Sequence, residues 1–337
     1  MEATDNLEEY RNKPATGSIA LPIARYRFIF AAGEGRLPKF AGSAWRGAFG
    51  RALKRTVCVT RLPHCPECLL YRGCVYPYIF ETPPPLNSTK MRRYTAAPHP
   101  FVIETPLPAV KTDEQRVDEL GVCLVGHANR YLPYIVYALR RAGEGGISKD
   151  RVPHDLVKVE QAADLLSNWR PIHRPEGPLD ALPPTVPDIP AMPVRIRIHL
   201  LTPLRIRLNG SLINADEFSF ARFFNVLLRR ISMLTYFHTD TPLEADFRGL
   251  VEASRAVPVL AADLHWYDWT RYSARQKTTM QMGGLIGEFE IPAEGLAPFW
   301  PYLWIGQWTH NGKGASMGLG RYVIDTASLP DQTGETC

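Results

Sequence analysis

The chain contains no apolar run approaching the ~18 residues that cross a bilayer, and its first residues, MEATDNLEEYRNK, are polar and acidic rather than leader-like. Both absences point to a cytoplasmic protein without a membrane partner. Acidic excess is missing too: 39 Lys and Arg stand against 34 Asp and Glu, a net charge of +5. The distribution of that charge says more than its sum. Arginines gather at 46–55, 92–93, 222–230 and 271–275, mostly beside aromatics. This interleaving suits RNA, whose phosphates attract cations and whose unstacked bases lie on flat side chains. A solvated helix face accounts equally well for any one cluster.

Cysteine is scarce, at six in 337 residues, yet four of the six are Cys58-x6-Cys65-x2-Cys68-x5-Cys74. In a reducing cytoplasm such a group reads as a metal site before a pair of disulfides. Four thiolates satisfy tetrahedral zinc, and Pro66 favours the tight turn of a knuckle. The role would be structural, since four protein ligands leave no open position. An iron–sulfur cluster and unliganded thiols are the alternatives, and His64 is a substitute ligand.

Nucleotide fingerprints are also absent. The stretch THNGKGASMGLGRYVI (309–324) holds Gly312, Gly314, Gly318 and Gly320 around Lys313 and Ser316, but the glycines precede a strand-like tail. A P-loop or dinucleotide site needs glycines that open a helix, whose N-terminus receives the phosphate. No nucleotide cofactor is expected. What is left is a loop whose amides and Lys313 can wrap a phosphodiester, or a turn that simply requires glycine.

Residues 17–32 alternate as a half-buried strand, and GSAWRGAFGRALKRTVC reads as a helix N-capped by Ser43. A Cys-rich insertion (about 57–82) follows. PFVIETP and ELGVCLVG read as strands, 127–142 as a second helix, and HDLVKVEQAA as a last strand. The order β-α-β-β-α-β is ferredoxin-like. Eight prolines, at 171, 175, 178, 183, 184, 187, 190 and 193, mark a linker over 171–193. The same grammar recurs after it: VRIRIHLLTPLRIRL, a long helix at 218–238, a hairpin through Gly283-Gly284, the helix LAPFWPYLWIGQWTH and the strand LGRYVID. The expected fold is α+β, with tandem ferredoxin-like (RRM-like) domains at 17–170 and 194–327. Residues 1–16 are expected to be a loosely ordered N-terminus and 328–337 a tail.

GSAWRGAFGRALKR (42–55), CVYPYIFE (74–81), PFVIETP, WTRYSARQK (269–277), MGGLIGE (282–288) and GQWTHNGKGASMGLGRY (306–322), in this order, resemble the endoribonuclease branch of the repeat-associated (RAMP) superfamily of CRISPR proteins. The resemblance implies metal-independent cleavage of precursor CRISPR RNA beside a repeat stem-loop, by 2′-OH attack giving a 2′,3′-cyclic phosphate and a 5′-OH. It also admits a non-catalytic RNA-binding subunit of a CRISPR effector complex. Many members carry a catalytic histidine near the first helix, whereas residues 40–57 contain none.

The acid/base candidates are therefore His310, beside the glycine loop, and His238, at the end of the long helix. Otherwise Tyr26, Tyr272 and Lys313 act by orientation and charge. Arg46, Arg51, Arg92 and Arg93 are expected on the RNA, as are Gly312, Gly314, Ser316, Gly318 and Gly320. Arg271, Ser273, Arg275 and Lys277 would share one face of a strand and extend that track.

Overall fold

The computed structural model describes residues 19–35, 37, 40–85, 88, 97–104, 117–148, 150–273 and 278–325, with the backbone alone at 271–273 and 278–280. The expectations for residues 1–16 and 328–337 lie outside the described residues. In the first domain, strand β1 (Ile23–Ala32) leads into helix α1 (Gly42–Val57). Then come β2 (Phe101–Glu104), β3 (Val117–Val125), α2 (Leu132–Glu144), β4 (His154–Ala162) and β5 (Trp169–His173). The antiparallel sheet runs β2-β3-β1-β4-β5, the ferredoxin-like order with one added edge strand. Alternation along β1 sends Ala24, Tyr26, Phe28 and Phe30 to one face, where they meet Trp45, Phe49 and Leu53 of α1 and Ile135 and Leu139 of α2.

The second domain contains β6 (Arg195–Leu204), the short pair β7 (Arg207–Leu208) and β8 (Ser211–Leu212), α3 (Phe220–His238) and α4 (Phe247–Ser254). It continues with β9 (Ala261–Tyr267), β10 (Thr270–Ser273), β11 (Thr278–Gln281), β12 (Gly284–Pro292), α5 (Trp300–Thr309) and β13 (Tyr322–Ile324). Its sheet runs β13-β6-β12-β9, again ferredoxin-like. The tandem fold expected from the sequence is present.

Local details depart from that expectation. Helix α1 is preceded by Ala41 without a side-chain cap, so Ser43 already lies inside the helix. The hairpin continues beyond the sheet as a separate ribbon, β10 against β11. The proline-rich stretch is not a free spacer. Residues 171–173 complete β5, Thr185 bridges to Ile23, and Trp300 Nε1 donates to Pro190 O at 2.7 Å.

The second core crosses between the domains. Ile23, Val102, Cys123 and Val125, on the outer face of the first sheet, cluster with Phe223, Leu227, Trp304 and Trp308 of the second domain. Helix α5 (WPYLWIGQWT) accordingly has no polar stripe and is buried nearly all round, with β13 and α3 on one side and β2 and β3 on the other. The loop that leaves its C-terminus emerges at the junction of the two domains.

Candidate functional site

Residues 310–320 connect α5 to β13 along a path fixed by the β6–β7 connection. Lys313 N donates to Arg205 O at 2.9 Å, Gly320 N to Pro203 O at 3.0 Å, and Asn311 N to Gly320 O at 2.9 Å. Asn311 Nδ2 reaches Phe223 O of α3 at 2.9 Å. Two of the glycines are obligatory. At Gly320 (φ +66°) an added Cβ would lie 1.7 Å from Asn311 O, and at Gly312 (φ +78°) 2.7 Å from Arg205 O.

The loop's single helical turn, Ala315–Met317, packs on α1 and β2 of the first domain. There Arg46 Nε donates to Ser316 Oγ at 3.1 Å and Arg46 Nη2 to His99 Nε2 at 2.6 Å, while the guanidinium lies 5.2 Å from the centre of the Phe80 ring. The Thr82 hydroxyl donates to Ala97 O at 2.6 Å, so its oxygen is free to accept from His99 Nδ1 at 3.3 Å. This assigns the proton to Nδ1 and leaves Nε2 as the acceptor Arg46 needs. Burial, then the charges of Arg46 and Arg230, push His99 down to about 3. His99 is thus a neutral acceptor, stacked on Phe101 with ring centres 5.8 Å apart.

Lys313 is exposed at the outer edge of the same loop. Desolvation and the neighbouring Arg207 and Arg205 lower its ammonium pKa. Arg205, Arg207 and Lys313 therefore form a cationic rim on the loop that also carries Ser316, suited to an anionic chain lying across the domain junction.

The structure separates the remaining expected residues. Tyr26 is 1 % exposed, donates to Asn129 Oδ1 at 3.1 Å, and has its phenol pKa raised by burial and then by Cys123. His238 is 2 % exposed: Nε2 donates to Pro98 O at 2.8 Å, the Tyr78 hydroxyl donates to Nδ1 at 3.1 Å, and burial holds the ring at about 4. It joins α3 to the first domain. His310 is fully enclosed at φ 56°, ψ 170°, with Nδ1 donating to Leu319 O at 3.3 Å. Its Nε2 has no hydrogen-bond partner among the described residues, and burial pushes it down to about 3 against the pull of Glu104. None of these three reaches the surface, so the sequence reading is corrected on their accessibility.

Arg51 is exposed on α1. Arg271, Tyr272 and Ser273 lie on β10, where the backbone alone is described, and Arg92, Arg93, Arg275 and Lys277 lie outside the described residues. Sequence reasoning missed Arg205, Arg207, His99, Arg230 and Glu104. Only the LRIRL alternation hinted at the first two. Arg230 of α3 donates from Nε to Thr309 O at 2.7 Å, and burial lowers it to about 10. Buried Glu104 receives Arg25 Nε at 2.9 Å; burial opposes its charge, but Arg321 and Arg25 hold the carboxyl below the usual range.

The cysteines Cys58, Cys65, Cys68 and Cys74 are all free and line one cavity at the end of α1. Among the described residues, no three His, Cys, Asp or Glu side chains are already gathered to hold a metal ion. No helix among them is long and apolar enough to cross a membrane.

Residues 198–322 match the family model of the CRISPR-associated endoribonuclease Cas6, and residues 21–183 match a model described as an N-terminal domain. An uncharacterized protein of Archaeoglobus fulgidus is 25 % identical over 146 residues, 43 % of this chain and 48 % of that protein. The chain thus spans about half the length of the curated relative it matches. Among solved structures, a Cas6 product complex aligns with a TM-score of 0.56 at 15 % identity, over 90 % of this chain and 99 % of that one. Thermus thermophilus Cas6 aligns with a TM-score of 0.51 at 14 % identity, over 91 % and 99 %. At such identities the likeness is one of fold.

Proposed function

We propose that this chain, whose residues 198–322 match the Cas6 endoribonuclease family model, is a CRISPR-associated protein of RAMP type that cleaves CRISPR repeat RNA to mature guide RNA, without a catalytic metal. The observation that carries this reading is the glycine loop at the domain junction, where Ser316 accepts from Arg46 of the first domain and Lys313, three residues before it, is exposed. The cleaved RNA strand lies across this junction, with the repeat stem-loop beside it. The ribose 2′-hydroxyl gives up its proton to solvent as its oxygen attacks the adjacent phosphorus, the P–O5′ bond breaks and the leaving 5′-oxygen takes up a proton, so that the products are a 2′,3′-cyclic phosphate and a 5′-OH.

Lys313 neutralises charge on the phosphorane as it develops, and its lowered pKa brings its proton closer to transfer toward the leaving 5′-oxygen. Arg46 holds a phosphate oxygen, itself oriented by the neutral ring of His99. Orientation and charge replace the first-helix histidine that residues 40–57 lack. The Cas6 product complex that shares the fold supports a protein of this kind that holds its product, as does a partial Cas6-RT-Cas1–Cas2 complex for association with other CRISPR proteins.

The test is incubation of the purified chain with end-labelled repeat RNA in EDTA. Cleavage is expected, and a 2′-deoxy nucleotide at the scissile position abolishes it. Tight binding without product overturns the nuclease reading in favour of a non-catalytic RNA-binding subunit. Lys313→Ala is expected to slow single-turnover cleavage by ~10²–10³-fold with little loss of RNA affinity, the scale seen when one transition-state donor is removed.

A further inference from the structure

Between α1 and the turn Pro77–Glu81 the chain makes a long excursion with almost no core of its own. From 58 to 74 only Cys65 is buried, and Val59, Leu62, Leu69 and Leu70 are exposed at 80 %, 40 %, 88 % and 41 %. Backbone turns shape it: Cys68 N donates to Cys65 O at 2.9 Å, Tyr71 N to Cys68 O at 2.9 Å, and Cys74 N to Leu70 O at 2.9 Å. Turns of this kind do not by themselves offset the conformational entropy of an excursion this long. Segments with so little buried surface are ordinarily held by a covalent or metal cross-link.

The four cysteines occupy the positions a cross-link would need. Cys58 caps the C-terminus of α1, Cys65 opens the short helical turn Cys65–Glu67 and Cys68 closes it, and Cys74 precedes the re-entry into the first domain. All four are free thiols, and all four line one cavity of about 30 Å³ together with Lys54, Tyr71 and Tyr76. That space exceeds the ~10–15 Å³ one water requires and suits a single ion better than a polynuclear cluster. The sulfurs are not yet gathered around a point.

We propose that Cys58, Cys65, Cys68 and Cys74 bind one structural zinc ion as a tetrathiolate, which draws the four sulfurs together and fastens the insertion to α1. Binding exchanges the four thiol protons for one Zn²⁺, so the protons are released to solvent and no redox change occurs. With all four positions taken by protein, the ion has no part in RNA cleavage. The exposed Arg61 and Arg72 ride on the fastened segment, and Cys74 leads within six residues to Phe80, over which Arg46 lies. The inference stands independently of the nuclease reading.

The experiment is metal analysis of the full chain, purified under reducing conditions from zinc-replete cells. About one zinc per chain is expected, falling at least tenfold in the Cys65→Ser, Cys68→Ser double variant and unchanged in Cys337→Ser. Less than a tenth of an equivalent, or zinc that persists in the double variant, overturns the proposal, as does iron with acid-labile sulfide in its place. Should the double variant fail to fold, exchange of the unaltered protein with cobalt(II) decides. The intense visible bands of tetrahedral cobalt thiolate are expected, and a pale octahedral spectrum refutes the site.

Discussion

His99 shows how a buried imidazole can serve a cationic site without being charged. With its proton placed on Nδ1 by Thr82 and its pKa lowered by burial to about 3, the ring is a neutral acceptor for Arg46 at neutral pH. His99→Ala is expected to loosen Arg46 and raise KM for repeat RNA while leaving any pH inflection in kcat unmoved, and His99→Gln, which keeps an acceptor, is expected to recover much of the loss. If His99→Ala shifts the kcat–pH profile instead, His99 takes part in proton transfer. His310 differs in kind. It is enclosed and held at positive φ in a region few non-glycine residues occupy, a strain of roughly 1–3 kcal/mol. His310→Ala is expected to lower the melting temperature while single-turnover cleavage by the folded fraction continues; a folded variant without cleavage would restore His310 to the chemistry.

At the scale of elements, the glycine loop is a structural turn and a contact surface at once, because the φ values that demand glycine also press Ser316 against Arg46. Gly320→Ala must move the Asn311 carbonyl, and thermal or urea unfolding is expected to show a loss of at least about 2 kcal/mol. Helices α1, α2 and α3 and the principal strands were legible because their apolar periods are long, whereas the short helix α4 (Phe247–Ser254) was not anticipated. Strand β5 was not, since Trp169, Arg170 and Pro171 give no alternation and the strand is held by pairing with β4. Helix α5 was expected as a helix, but nothing in its sequence said that its second partner would be the other domain's sheet. The exposure of the histidines was equally hidden: His310 and Lys313 are three residues apart, yet one is sealed and the other is on the surface.

For the whole molecule, the interdomain histidines set a pH dependence. His99, His238 and His310 sit at about 3, 4 and 3 in the folded state, below the 6.5 of an ordinary imidazole. The unfolded chain therefore binds more protons at pH 4–6.5, so stability is full above about 6.5 and falls as the pH drops through that window. The depressed carboxyl of Glu104 acts with the same sign below its unfolded value of 4.5. Denaturant unfolding at pH 7 and pH 5 is expected to show a marked loss at pH 5, with proton uptake of up to three per molecule; equal stability would contradict the buried, neutral assignment.

The carbonyl of Leu165 accepts from Arg25 Nη1 of β1 at 3.2 Å and from Trp308 Nε1 of α5 at 3.0 Å. One oxygen thus pegs a strand of the first domain and a helix of the second to the same point, beneath a core that already spans both. The two domains are thus fastened at one carbonyl from both sides, and under the proposed function an RNA strand is expected to meet Arg46 and Lys313 as marks on a ruler rather than between closing jaws.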